Sequence, residues 1–151
     1  MIPAAVEIAK KYEGLHKQVT KRPVILVVPY LCPASYWTIG YGHLCDKNHP
    51  AITAEEAEEY LIKDLNSAWV QVVRLCPNLV CHSEERQTAI IDFVFNLGAG
   101  RLKSSTLRKR ILAEEWGEVQ KELRRWVFGS GRKLPGLVLR REEECALIDR
   151  A

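Results

Sequence analysis

Apolar and polar positions along the chain fall into two regimes. Val6, Ala9 and Glu13 recur at i, i+3 and i+7, so residues 3–13 are expected to form a short amphipathic helix. Pro3 suits its first turn and Gly14 the position just past its end. Over residues 15–43 the period changes. The runs VILVV and SYWTIGYG, punctuated by prolines and glycines, predict a small antiparallel sheet. Pro23 and Pro29 bracket VILVV and confine it to an edge or a short strand. From Thr53 the helical period takes over. Thr53 and Glu56 have the spacing of a capping box. Ala57, Tyr60, Leu61, Leu65, Ala68, Trp69, Val72 and Val73 then mark one face of a long helix that Pro77 stops. Ser83 is placed to cap a helix from about Glu84 to Leu97, with Ile90, Ile91, Val94 and Phe95 inside. Further helices fit 104–114, 117–126 and 137–150, with GSGRKLPG as a turn before the last.

These elements predict an α+β fold: a small antiparallel β-sheet lobe joined by a long central helix to a mainly helical lobe. The 151 residues suffice for one domain with a buried core. Its β-containing lobe is expected at about 14–60, and its helical lobe at about 75–151 together with helix 3–13. The longest apolar run, PVILVVPYL, is half a membrane span, and Glu7 interrupts what would be a signal peptide. Five cysteines, an odd number in a chain with no secretory mark, are expected as thiols. Cys76 and Cys81 could close a small disulfide loop under oxidant. His43, Cys45 and His49 lack a recognised zinc spacing, so no metal or other cofactor is expected.

Net charge is +3, unevenly placed. Residues 1–100 carry 9 basic and 11 acidic side chains, and residues 101–151 carry 13 and 8. A basic C-terminal part suits an anionic polymer such as cell wall or nucleic acid, but a solvated helical surface is the favoured reading. No nucleic-acid recognition motif accompanies it.

Glu13 is the most suggestive carboxylate. It ends an apolar stripe and lies at a helix C-terminus, and both settings favour a neutral carboxyl, the form a general acid needs. The plain alternative is a glutamate fraying into water. Asp64 falls on the same helix face as Ala68, expected to be buried, where a carboxylate needs a partner. His43 is the best available, either as a structural pair or as a catalytic couple. Gly40 and Gly42 flank Tyr41 and allow close backbone approach or a bulge, with Thr38 on the same strand face as Gly40.

Taken in order, Glu13-Gly-Leu15, Tyr30-x-Cys-Pro-Ala34 and Trp37-Thr-Ile-Gly-Tyr-Gly-His43 resemble the phage-type lysozyme, or endolysin, family of glycoside hydrolases. The likeness continues through Ile52-Thr-x-Glu-Glu-Ala57, Phe93-Val-Phe-Asn-Leu-Gly98, Ser105-Thr-Leu107 and Leu134-Pro-Gly-Leu-x-x-Arg-Arg-x-x-Glu144, and so covers essentially the whole chain. The resemblance implies cleavage of the β-1,4 bond between N-acetylmuramic acid and N-acetylglucosamine in peptidoglycan by a Glu, Asp and Thr trio. Glu13 and Thr38 fall on two of these positions, and Cys32 stands where the Asp usually does. It further implies substrate contacts at Leu44, Phe95 and Thr106, and a structural role for His43 with Asp64.

Two departures stand out. Glu13 precedes Tyr30 by about ten residues more than is usual in the family, with VTKRPVILVV the expected insertion, read as a hairpin or loop beside the cleft. Cys32 replaces a carboxylate. A thiol can accept a hydrogen bond and a thiolate can act as base or nucleophile, although a free thiol is only a few per cent ionised at neutral pH. Glu13 is therefore expected as the acid, with Cys32 and Thr38 holding the water of an inverting hydrolysis; attack by the thiolate would instead give retention. A lytic transglycosylase, which needs one Glu, and an inactive peptidoglycan-binding module are the alternatives. A peptidase built on Cys32 and His43 is disfavoured because Pro33 denies the cysteine the usual helix N-terminus. The expected partners are peptidoglycan strands, met by a monomer without nucleic acid or membrane insertion. The family implies a stay in the host cytoplasm until a holin opens the way to the wall.

Overall fold

The computed structural model describes residues 1–20 and 22–151. Its contacts divide the chain into two units, one of Val6–Asn66 and one of Met1–Ala5 with Ser67–Ala151.

The first unit opens on α1 (Ile2–Glu13), which begins just before it. Gly14, at φ +69°, takes the left-handed conformation past the helix end, and its N–H donates to Lys10 O at 3.1 Å. Two three-stranded antiparallel sheets follow where the sequence predicts one. Sheet order β1-β2-β6 joins Gln18–Thr20, Leu26–Val27 and Ile52–Thr53. Sheet order β3-β4-β5 joins Tyr30–Leu31, Trp37–Ile39 and His43–Leu44. Pro29, which has no N–H to give to a ladder, lies between β2 and β3 where the chain passes from one sheet to the other. The expected insertion is thus a hairpin, β1 against β2, and β2 is two residues long despite the VILVV run. Val27, Ile39, Ile52 and Ala57 form the buried centre, with Leu15, Ile25, Tyr41, Cys45 and Tyr60 packed against it. Both sheets and α2 (Ala54–Leu75) therefore share one core. The start of α2 is fixed by the capping box: Thr53 N–H donates to Glu56 Oε2 at 2.7 Å, and Glu56 N–H to Thr53 Oγ1 at 3.1 Å.

The second unit is helical. Pro77 ends α2 and starts a single 3-10 turn to Cys81, before α3 (Glu84–Leu97) begins at its Ser83 cap. The helix expected over 104–114 is α5 (Thr106–Leu112), and a further short helix that the sequence did not predict, α4 (Ala99–Lys103), comes before it. The Ser105 hydroxyl accepts the Arg108 N–H at 3.1 Å and opens α5. Then come α6 (Trp116–Leu123) and α7 (Pro135–Arg150), the latter with proline in its first turn. Between them the expected turn is a hairpin, β7 (Phe128–Gly129) against β8 (Arg132–Lys133). Ser130 and Gly131 both have positive φ, as a two-residue connection matching strand twist requires.

One stretch of α3 is buried without a break from Thr88 to Val94. That corrects the expectation for Phe95, which is only half-buried, while Phe93 is fully buried against Trp126, their rings 5.5 Å apart and edge to face. Asp92 lies in this buried run and is met by Arg140 of α7 through two bonds of 2.8 Å. A buried charge needs that partner.

Candidate active site

The hairpin from β3 to β4 is built by its turn. Ser35 N–H donates to Cys32 O at 2.8 Å, Pro33 occupies the second turn position, and Ser35 takes φ +63°. This is a type I turn closed by a left-handed residue, the usual three-residue hairpin loop. Cys32 N–H then donates to Tyr36 O at 2.9 Å, so Cys32 and Tyr36 are cross-strand neighbours. One step along the ladder on the same side, Tyr30 faces Thr38, and Thr38 faces Leu44 of β5. Side chains two apart on a strand, and directly opposite across a ladder, share a face. Tyr30, Cys32, Tyr36, Thr38 and Leu44 therefore share one face of this sheet.

Thr38 is buried, at 3% exposure, and its hydroxyl donates to Tyr30 O at 3.2 Å. Glu13 reaches the same unit from the end of α1. A Cβ added at Gly42, where φ is +81°, would stand 3.5 Å from Glu13 Oε2, so a bare backbone borders the carboxylate. Gly40 serves packing instead. A Cβ there would come within 2.8 Å of Ala57 Cβ, and its absence lets the β4–β5 turn press on α2. The Tyr30 phenol ties the group together electrostatically. Burial pushes its pKa up, a hydrogen-bonding Thr38 side chain opposes this, and negative charge on Glu13, Cys32 and Cys45 adds to the rise. Tyr30 thus shares its sheet face with Cys32 and Thr38 and feels the charge of Glu13.

His43 and Asp64 also meet, Nδ1 to Oδ2 at 2.8 Å. The burial expected for Asp64 is corrected: both side chains are 32% exposed, and the His43 ring leans on Tyr60 at 4.6 Å. Leu44 is 67% exposed opposite Thr38. Phe95, half-buried on α3, and Thr106, exposed at the first position of α5, belong to the helical unit. All five cysteines are thiols, and burial pushes Cys76 and Cys145 up to about 11.

Two neighbours of the site escaped the sequence reading. His16 Nε2 lies 2.7 Å from Glu13 O, which can only accept, so that nitrogen carries the proton. Its ring also rests on Tyr30, centroids 5.0 Å apart. The available signal was a basic ring three residues past a helix end, where the last carbonyls need donors. Tyr30 stood inside a family motif with no role attached to it.

Residues 10–144 match the phage lysozyme family. The chain belongs to that family. It is 33% identical over 149 residues to an endolysin of Acyrthosiphon pisum secondary endosymbiont phage 1, covering 95% of this chain and 94% of that one. Against a SAR-endolysin of Escherichia phage Mu it is 30% identical over 149 residues, covering 95% and 86%. Among solved structures it is similar to the muramidase domain of SpmX from Asticaccaulis excentricus, with a TM-score of 0.77 at 27% identity over 96% of this chain and 94% of that one. This phage lysozyme is accordingly a glycoside hydrolase of the lysozyme type with the α+β fold expected from its sequence. No helix among the described residues is long and apolar enough to cross a membrane.

Proposed function

We propose that this phage lysozyme is an endolysin-type muramidase that hydrolyses the β-1,4 linkage between N-acetylmuramic acid and N-acetylglucosamine in peptidoglycan. The observation that carries this reading is the sheet face shared by Tyr30, Cys32 and Thr38, with the Glu13 carboxylate at the end of α1 bordering Gly42 in the same unit. Glu13 in its protonated form donates to the glycosidic oxygen as the bond to the anomeric carbon breaks. Cys32 and Thr38 hold a water on the opposite sugar face, and a thiolate at Cys32 accepts its proton as oxygen bonds to that carbon. The developing oxocarbenium charge is met by the anions at positions 13 and 32. One product gains a free reducing end and the other a 4-hydroxyl. His43 and Asp64 hold β5 to α2 and take no part in the proton transfers. In the cell the protein acts on the wall of an infected host once a holin has opened the membrane.

Digestion of purified peptidoglycan, followed by mass spectrometry and by NMR of the fresh anomeric centre, tests the reading. The expected result is new reducing-end N-acetylmuramic acid with inverted configuration. Products carrying 1,6-anhydro sugars would make the enzyme a transglycosylase, and binding without cleavage would make it a wall-binding module. Glu13→Gln should lose activity by a factor of about 100 or more, the range of a missing general acid.

A further inference from the structure

We propose that Tyr36 is a glycan-stacking residue, its ring forming a platform for a pyranose of the strand held at Glu13 and Cys32. The inference rests on the muramidase reading and adds a specificity determinant to it. Cys32 N–H donates to Tyr36 O at 2.9 Å, which makes the two residues a directly opposed pair at the end of the hairpin. Opposed pairs project their Cβ atoms to one face at a separation of about 5 Å. Tyr36 is also two residues before Thr38, on the same face of the same strand. Both polar groups assigned to the water thus have this ring as a neighbour.

Exposure separates the members of that face. Thr38 is 3% exposed, whereas Tyr36 is 63% and Leu44, on the other side of Thr38, is 67% exposed. Apolar side chains therefore stand proud on either side of a recessed polar position. A hexopyranose has the complementary form: its C–H groups make an apolar face and its hydroxyls a polar rim. An aromatic ring covers that face with two torsions to fix, so it orders at small entropic cost. Single exposed apolar residues are ordinary on protein surfaces, and what distinguishes Tyr36 is its place beside Cys32. Leu31 provides the internal comparison. It is 55% exposed and opposed to Trp37, hence on the other face of the same hairpin.

The test measures the affinity of soluble β-1,4 oligomers of N-acetylglucosamine and N-acetylmuramic acid by calorimetry on Glu13→Gln, with and without a second substitution, alongside kcat and KM on the Glu13 parent. Tyr36→Ala should weaken binding and raise KM by roughly five- to tenfold, in line with a lost aromatic contact, with kcat nearly unchanged. Tyr36→Phe and Tyr36→Trp should restore it, since the ring and not the hydroxyl makes the contact, and Leu31→Ala should change nothing. The proposal is overturned if Tyr36→Ala binds within twofold of its background, or if Leu31→Ala weakens binding as much. Should the parent bind the oligomers through Tyr36 and release no reducing ends, stacking at Tyr36 stands and the muramidase reading falls.

Discussion

The buried charges of the helical unit yield a prediction with a definite sign. Glu144 on α7 is fully buried, and its Oε1 accepts from Arg141 Nη2 at 2.6 Å. Its Oε2 is buried with no donor among the described residues. Burial drives the Glu144 carboxyl well above its usual range, Arg141 opposes this, and the negative charge and hydrogen-bonding contact of Asp92 add to the rise. A proton on Oε2 resolves the orphan, because the carboxyl can then donate to Asp92, which already accepts both bonds from Arg140. Just above the unfolded value, folding therefore takes up a proton at Glu144. Below the unfolded value, about 4.5, both states hold that proton and its stabilisation is complete. As pH rises beyond it the unfolded chain ionises first, and stability falls by about 1.4 kcal/mol per pH unit until the folded carboxyl ionises too. Glu144→Gln keeps a carbonyl for Arg141 and an N–H for Asp92 but cannot ionise, so all other titrations cancel in the comparison. Urea unfolding of both proteins between pH 5 and 7 should show the parent losing stability relative to Glu144→Gln as the pH rises. A stability difference that stays flat across that interval refutes a protonated Glu144.

Two further predictions concern the sheet unit. Cys32→Asp should remain active on cell-wall suspensions, whereas Cys32→Ala should lose activity by about 100-fold or more; an unimpaired alanine variant removes Cys32 from the chemistry. His43→Asn should lower Tm by several degrees, as expected for a lost charge-assisted bond worth about 1–2 kcal/mol, while kcat changes little. The opposite outcome, lost turnover at unchanged Tm, places His43 in catalysis.

Legibility in the sequence followed how local the determining physics is. The capping box at Thr53 and Glu56, the stop at Gly14 and the hairpin in the insertion are decided within a few residues, and these agree with the structure. Ser105 was equally local, and its hydroxyl caps α5 close to the expected start at 104, whereas the short α4 before it went unpredicted. The misplacement of Phe93 and Phe95 has a different cause: a helix buried continuously from Thr88 to Val94 has no apolar stripe from which to read a facing direction. Arg140 and Asp92 are 48 residues apart, and no spacing rule pairs them. Within the site, the family motifs pointed to Glu13, Cys32 and Thr38, but His16 and Tyr36 became visible only through the Glu13 carbonyl and the turn register.

That register bears on the cysteine itself. The position of residue 32 is set by the backbone around it: Pro33 in the turn, Ser35 in the left-handed region, and ladder bonds from main-chain atoms of Cys32. None of these uses the thiol. The hairpin therefore presents whichever side chain occupies position 32 to the face it shares with Thr38, and exchanging Cys for Asp alters the proton acceptor without moving its Cα. For the same reason Cys32→Asp and Cys32→Ala report on chemistry and not on folding, provided their melting temperatures match the parent's. In the proposed mechanism the fold supplies the seat, and the residue in it determines how the water is activated.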